Sequence, residues 1–102
     1  MTGLKKLVFY QAHDMVKSGR VDFSAALKIA WQLYRMKKRP KTVYCFVYEK
    51  IDGSTRLARG RFYPEIVAND VKAQHYFDLE KRDWRAFKPV NFKGIYDEIE
   101  LE

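Results

Sequence analysis

Apolar residues recur every three or four positions through the first forty residues of the chain, as in Leu4, Leu7 and Val8. This spacing predicts two amphipathic helices. Gly19 follows the first helix and tolerates the left-handed backbone that commonly ends one. Asp22 or Ser24 can cap the second helix, and Pro40 ends it. A helical hairpin over residues 1–41 is therefore predicted.

The second helix, FSAALKIAWQLYRMKKR, carries aromatic residues on one stripe that we expect to pack on a sheet. The stripe consists of Phe23, Leu27, Ala30, Trp31 and Tyr34. Two helices joined by a short turn also suggest a helix-turn-helix motif that reads DNA. That motif normally lies in a bundle of three or more helices, whereas the residues that follow here are β-rich. We therefore predict that the hairpin covers a barrel.

From Thr42 onward the period changes to one typical of strands. TVYCFVYEK is dense in β-branched and aromatic residues, and Asp52-Gly53-Ser54 predicts a turn into TRLARGRFY. EIVANDVKAQ is predicted to be a loop or a short helical turn. HYFDLE and WRAFK form a second hairpin, and FKGIYDEIELE is a final strand. The pattern predicts an α+β protein in which the helical hairpin packs on a small, strongly bent, five-stranded antiparallel barrel.

The second hairpin raises the question of which side chains face the core. In HYFDLE, Phe77 and Leu79 are expected to point inward. The other face of that strand takes Tyr76, Asp78 and Glu80. In WRAFK, Trp84 and Phe87 have opposite parity, so both can face one core only if the strand bulges or bends. The pattern leaves open whether Trp84 is buried or exposed.

The β region resembles small Sm-like, SH3-type β-barrel proteins related to the WYL domain, which bacteriophages and bacterial mobile elements carry. The resemblance covers residues 42–99 and rests on the TVYCFVYEKIDGSTRLARG hairpin, the YFDLEKRDWRAFK hairpin and the closing strand around Ile95. The Trp-Tyr-Leu tripeptide that names the WYL domain is absent. The resemblance implies an SH3/Sm-like barrel that binds nucleic acid or a small ligand. Because Sm-like proteins form rings of barrels, it also leaves a homo-oligomer open.

The net charge of +7 belongs to one part of the chain. Residues 1–41 contain ten Lys or Arg and two Asp, a net +8, whereas residues 42–102 contain ten Lys or Arg and eleven Asp or Glu, a net −1. A one-sided basic segment attracts a polyanion, most often nucleic acid. We therefore expect one compact domain in two parts, a basic helical hairpin (1–41) and a barrel with an acidic C-terminal tail (42–102). The acidic run 97–102 is interpreted as a solvated tail.

The sequence offers little for catalysis, and we expect no catalytic residue, metal ligand or cofactor. His13 and His75 lack the spacing of metal ligands. Cys45 lies among the residues of a predicted strand, where a buried structural thiol is expected. Glu65, Asp70 and Lys72 resemble a metal-dependent nuclease triad only loosely, because such residues meet by chance in any charged loop. The protein is therefore expected not to be an enzyme.

Nucleic-acid binding needs cations for the phosphates and exposed rings on which unpaired bases stack. The candidate cations are Lys28, Arg35, Lys37, Lys38, Arg39, Lys41, Arg59, Arg61 and Arg85. The candidate rings are Tyr44, Tyr48 and Trp84. We expect single-stranded DNA or RNA to be the partner rather than a specific duplex.

A second hypothesis is a protein-binding module that inhibits or recruits a host factor, or a small virion component. A single cysteine forms no internal disulfide, so we expect a reducing compartment, the cytoplasm of a bacterial host. No run approaches the ~18 apolar residues of a membrane span, so no membrane partner is expected.

Overall fold

The computed structural model describes residues 3–64 and 71–100. Two helices, α1 (Gly3–Lys17) and α2 (Phe23–Lys37), precede five strands. The strands are β1 (Thr42–Glu49), β2 (Thr55–Arg61), β3 (Gln74–Asp78), β4 (Asp83–Phe87) and β5 (Phe92–Glu100), with a 3-10 turn at Pro89–Asn91. They form one antiparallel sheet in the order β4-β3-β2-β1-β5, which confirms the predicted α+β fold. Most of EIVANDVKAQ, residues 65–70, lies outside the described residues.

The turn between the helices follows the local signals of the sequence. Gly19 has φ +76°, a conformation that side chains with a Cβ rarely adopt. Of the two predicted caps, Asp22 is the one used, because its carboxylate accepts a hydrogen bond from the N–H of Ala25 at 2.8 Å. The second helix ends at Lys37, shortly before Pro40. The predicted helical hairpin is confirmed.

Helix α2 is buried on two sides rather than along one stripe. Toward the sheet, Leu33 and Met36 belong to the core of the barrel. Toward α1, Ala26 and Ala30 join a second apolar cluster whose partly buried rim includes Trp31 and Tyr34. The Trp31 ring meets Phe9 of α1, with ring centroids 6.1 Å apart. The expectation that Trp31 and Tyr34 pack on the sheet is therefore wrong, because this side of α2 packs in the apolar cluster that α2 forms with α1.

Closely packed aromatic rings fill the barrel. Phe46 lies at the centre, with its ring centroid 5.0 Å from that of Tyr76, 5.1 Å from Phe62 and 5.8 Å from Phe87. Aromatic pairs at such separations add ~0.5–1.5 kcal/mol beyond their buried area. Gly60 lets the strands close around this core, since a Cβ there would stand 2.5 Å from the carbonyl oxygen of Phe77.

Strand β3 faces the opposite way from the prediction. Tyr76 and Asp78 are fully buried, whereas Phe77 and Leu79 are half-buried. Asp78 can lie inside because its carboxylate accepts hydrogen bonds from the N–H groups of Glu80 and Lys81, both at 2.9 Å. The assignment of Phe77 and Leu79 to the core was wrong, because these bonds pull the acidic side chain inward.

The acidic end of the chain is part of the sheet. Residues 97–100 complete β5 and pair with β1, through Cys45↔Asp97, Tyr44↔Glu98 and Thr42↔Glu100. The interpretation of this run as a solvated tail is therefore wrong for residues 97–100, although their side chains remain exposed. Backbone pairing to β1 holds the segment in place whatever its charge. Residues 101–102 lie outside the described residues.

Candidate nucleic-acid interface

The exposed side of α2 carries three of the predicted cations. Lys28, Arg35 and Lys38 are all exposed, and they recur at steps of seven and three residues, which brings them to one side of a helix. We call these three residues the α2 basic face. The half-buried ring of Trp31 lies with Lys28 and Arg35 around a shallow cavity of about 400 Å³. The face therefore offers charge together with an aromatic surface.

Arg39, a fourth predicted cation, is already engaged by the acidic end of β5. Its guanidinium lies 3.4 Å from the carboxylate of Glu98 and 3.9 Å from that of Glu100. All three side chains are exposed, so each pair contributes little to stability. A polyanion that bound here would have to displace these carboxylates. Lys41 is exposed in the short connection to β1.

Three predicted contact residues are not available at the surface. Lys37 is completely buried, and its Nζ has no hydrogen-bond partner among residues 3–64 and 71–100. Burial lowers the pKa of this amine to about 8. Tyr44 and Tyr48 are 2% and 6% exposed, because their alternate positions on β1 turn both rings into the barrel. The expectations that Lys37 contacts phosphate and that these two rings stack on bases were wrong.

The outer face of the sheet holds a second set of predicted residues. Trp84 is 45% exposed, whereas Phe87 is buried, so the parity conflict is settled by Phe87 facing the core and Trp84 facing solvent. Arg61, Phe77 and Trp84 are successive register partners across β2, β3 and β4. Arg59 is exposed on the same face of β2 as Arg61.

Two rings that were not predicted as contacts join Trp84. The Phe77 and Trp84 centroids are 5.3 Å apart, and the Tyr63 and Trp84 centroids are 5.6 Å apart. We call Tyr63, Phe77 and Trp84 the aromatic corner. Phe77 was missed because it had been assigned to the core. No sequence signal placed Tyr63, which follows β2, beside β4.

The structure separates the predicted residues into distinct surfaces. Ala58 and Gly60 face the core that α2 closes with Leu33, so Arg59 and Arg61, on the other side of β2, point away from α2. The α2 basic face and the aromatic corner consequently lie on opposite sides of the sheet. Arg85 neighbours Trp84 along the chain but lines a third surface, a cleft at one end of the barrel.

Other chemistry is sparse in the described part of the chain. Residues 3–64 and 71–100 contain no group of three His, Cys, Asp or Glu side chains placed to hold a metal ion. Glu65 and Asp70 lie outside those ranges. Cys45 is a free, half-buried thiol. Neither described helix is long and apolar enough to cross a bilayer.

Comparison with known proteins bears on the barrel. The family model described as WYL_2, Sm-like SH3 beta-barrel fold, matches residues 34–93, which is more than half of the 102 residues. The match begins near the end of α2 and runs into β5, so it takes in the barrel core and its central ring, Phe46. No curated protein and no solved structure gave a significant match. The chain therefore belongs to the WYL_2 family of Sm-like SH3 β-barrel proteins.

Proposed function

We propose that the protein is a non-enzymatic accessory protein of the phage type that binds single-stranded nucleic acid in the bacterial cytoplasm. The observation that carries the proposal is the α2 basic face, with Lys28, Arg35 and Lys38 exposed together. Helix α2 contains no acidic residue from Phe23 to Lys37, so nothing on the helix itself neutralises this charge. Cations in such an arrangement bind phosphates and release the counterions that surround them.

The preference for unpaired strands comes from the aromatic corner. Trp84 is substantially exposed, and the rings of Phe77 and Tyr63 both pack against it. A fixed, exposed ring offers a face to an unstacked base, a contact worth ~1–3 kcal/mol. Arg59 and Arg61, on the adjacent strand, supply cations for the phosphates of the same segment.

Salt dependence tests the role of the α2 basic face. The variant Lys28→Gln/Arg35→Gln/Lys38→Gln should bind a labelled oligothymidine more weakly than the wild type at low salt. Each phosphate contact on a single strand contributes about −0.7 to the slope of log affinity against log salt, so losing three should flatten that slope by about 2. Fluorescence anisotropy over a series of salt concentrations measures both quantities.

The matched control removes the same charge elsewhere. Lys17→Gln/Lys81→Gln/Lys93→Gln also takes away three exposed cations, none of them on α2. We expect this variant to keep most of the wild-type slope. Equal weakening in both triple variants would mean that only net charge matters and would reject a defined face. Failure of the wild type to bind any oligonucleotide at low salt would remove the proposal altogether.

Stacking is tested separately. Trp84→Ala should weaken binding of the single strand roughly 5- to 150-fold, the equivalent of one base stack. Leu57→Ala, which truncates another exposed apolar residue of the sheet, should leave the affinity unchanged. Tighter binding of a duplex of the same length than of the single strand, together with no effect of Trp84→Ala, would contradict the assignment of the corner to base stacking.

A second candidate function, a protein-binding module that inhibits or recruits a host factor or forms part of a virion, is favoured by apolar side chains exposed on the sheet. Leu57, Tyr96 and Ile99 are all exposed, and among the described strands β5 lies at an edge of the sheet, where another chain could pair with it. Capture from host lysate treated with nuclease separates the candidates, because a protein partner survives that treatment. Light scattering shows whether the partner is instead a second copy.

A further inference from the structure

The outer face of the sheet, the side turned away from α2, carries an exposed ring far from the aromatic corner. Tyr96 of β5 is 59% exposed. It lies where β5 shifts its register against β1, between the pairs Asp97↔Cys45 and Ile95↔Phe46, and is therefore the extra residue of a bulge. Ile95 packs against the core of the barrel. Because successive side chains of a strand point to opposite faces, the neighbouring Tyr96 faces outward.

The Tyr96 ring leans over the middle of the sheet. Cys45 faces outward, since Tyr44 and Phe46 on either side of it belong to the core. Partial desolvation and then the neighbouring Cys45 raise the pKa of the Tyr96 hydroxyl, which places this hydroxyl beside Cys45. The register partner of Cys45 on β2 is Arg59. Tyr96, Cys45 and Arg59 therefore form one continuous surface across three strands.

The charge between Tyr96 and the aromatic corner is positive. Within residues 3–64 and 71–100, neither Arg59 nor Arg61 forms an ion pair, and the Nε of Arg61 has no hydrogen-bond partner there. The carboxylates of Glu80 and Asp97 lie close enough to act on the Tyr96 hydroxyl. Phosphates are consequently attracted to the two arginines and repelled near Tyr96, where the ring remains open to an uncharged base.

The separation of the two aromatic sites suits a short length of unpaired nucleic acid. Trp84 lies on β4 and Tyr96 on β5, the two outermost strands of the order β4-β3-β2-β1-β5. Four strand spacings of ~4.8 Å put these strands roughly 19 Å apart along the sheet. A single strand that advances ~3.4 Å per stacked nucleotide, and more where bases are unstacked, covers this span with about four to six nucleotides.

We propose that a single strand of nucleic acid crosses the outer face of the sheet, with one base on the aromatic corner, a second base on Tyr96 and phosphates on Arg59 and Arg61 between them. This inference rests on the proposed function and adds to it a second base-binding residue, a path and a minimum ligand length. A duplex fails to use both rings, because its bases are stacked inside it.

Oligothymidines of two lengths test the path, in competition against a labelled oligothymidine followed by fluorescence anisotropy. Tyr96→Ala should weaken binding of an octamer roughly 5- to 150-fold, the equivalent of one base stack. The same variant should bind a trimer as the wild type does, because a trimer held at the aromatic corner is too short to reach Tyr96. Tyr96→Phe keeps the ring and should bind both lengths as the wild type does.

Tyr10→Ala is the matched control, since Tyr10 is exposed to a similar extent, 56%, but lies on α1. It should leave the affinity for both lengths unchanged, and circular dichroism melting confirms that each variant is folded. Octamer binding that is weakened in Trp84→Ala and unchanged in Tyr96→Ala would overturn this inference and leave the proposed function standing. Equal weakening of trimer and octamer in Tyr96→Ala would overturn the path. Failure of the wild type to bind any oligonucleotide would remove both proposals.

Discussion

Lys37 carries an amino group into the interior of the protein, where it has no exposed surface and no hydrogen-bond partner among the described residues. Burial lowers its pKa from the ordinary 10.5 to about 8. Below pH 8 the amine is charged in both the folded and the unfolded chain, and the folded state bears the full cost of burying it. Lys37→Met keeps a similar shape without the charge, so at pH 7 we expect it to raise the free energy of unfolding by about 2–3 kcal/mol.

The pH dependence gives the same residue a sharper test. Between pH 8 and pH 10 the unfolded chain holds the Lys37 proton and the folded chain releases it, so stability rises with pH. The pKa values give a gain of about 2 kcal/mol over this interval in the wild type relative to Lys37→Met. Urea denaturation of both proteins at several pH values measures the difference. A difference that stays constant from pH 7 to pH 10 would show that Lys37 is not desolvated.

Asp78 is the opposite case, a buried charge that is fully satisfied. It binds the Arg56 guanidinium at 2.5 Å and caps the turn after β3 through two backbone N–H groups. Burial alone would raise the pKa of Asp78, but the bonds from Lys81 and Arg56 outweigh it and hold the pKa below its ordinary value. Asp78→Ala should lower the free energy of unfolding by about 3–5 kcal/mol, because it leaves these donors without a partner.

The control for Asp78 is Asp97→Ala on β5. Asp97 is exposed, and among residues 3–64 and 71–100 its carboxylate accepts only a local bond, from the N–H of Glu98. Asp97→Ala should change the free energy of unfolding by less than about 0.5 kcal/mol. Chemical denaturation measures the free energy of unfolding of both variants, and an equally small effect of Asp78→Ala would contradict the role assigned to the buried hydrogen bonds of Asp78.

These residues also show where reading the sequence fails. A lysine in a basic run and an aspartate in an alternating strand are normally exposed, and sequence spacing alone placed Lys37 and Asp78 at the surface. What buries Asp78 is a set of tertiary bonds to Arg56 and to a turn, and neither is visible in local pattern. Tyr44 and Tyr48 are the other kind of failure, because they were predicted to be exposed for base stacking and are buried. A tyrosine side chain is found in cores and at binding surfaces alike, so its type does not decide between them.

At the scale of the elements, the packing of β2 against β3 depends on Gly60. A Cβ at this position would meet the Phe77 carbonyl oxygen at 2.5 Å and the Tyr76 ring at 2.8 Å. One of these contacts is backbone, so a small rotamer change cannot relieve it. Gly60→Ala should therefore cost at least about 2 kcal/mol in the free energy of unfolding.

Gly19→Ala provides the comparison for Gly60→Ala. Gly19 has a positive φ, but no atom of the described residues lies within 4 Å of an added Cβ, so its replacement should cost only about 1 kcal/mol of backbone strain. Urea denaturation of both variants separates a steric from a conformational cost. A smaller loss at Gly60 than at Gly19 would mean that β2 and β3 separate without penalty.

The elements were predictable to the extent that their signals were local. Gly19, Asp22 and Pro40 mark the helices within a few residues, and the Asp52-Gly53-Ser54 turn marks the first hairpin. The faces of the elements were less predictable, because they depend on partners far along the chain. The sequence predicted that Trp84 and Phe87 lie on opposite faces of β4, and this is confirmed. Which of the two faces solvent became clear only from the sheet register and the exposure of each side chain. The three cations of the α2 basic face were all predicted as contacts, but so was the buried Lys37. Of the three rings in the aromatic corner, Trp84 alone was predicted as a contact.

At the scale of the whole molecule, the helical hairpin and the barrel share a core. Leu33 and Met36 of α2 pack into the same cluster as the rings of the barrel, and Val90, just before β5, packs against the helix pair. Neither part buries its apolar surface alone. We therefore expect the described chain to unfold as a single cooperative unit rather than as a hairpin and a barrel in turn.

The two tryptophans make this expectation measurable, because Trp31 belongs to the helix pair and Trp84 to the sheet. Trp84→Phe leaves fluorescence from the hairpin, and Trp31→Phe leaves fluorescence from the barrel. In each protein the fluorescence and far-ultraviolet dichroism transitions in urea should coincide. Adding Leu33→Ala to either background should lower the free energy of unfolding by about 2–5 kcal/mol through both probes equally. If Leu33→Ala moved the Trp31 transition and left the Trp84 transition in place, the barrel would be stable without the hairpin.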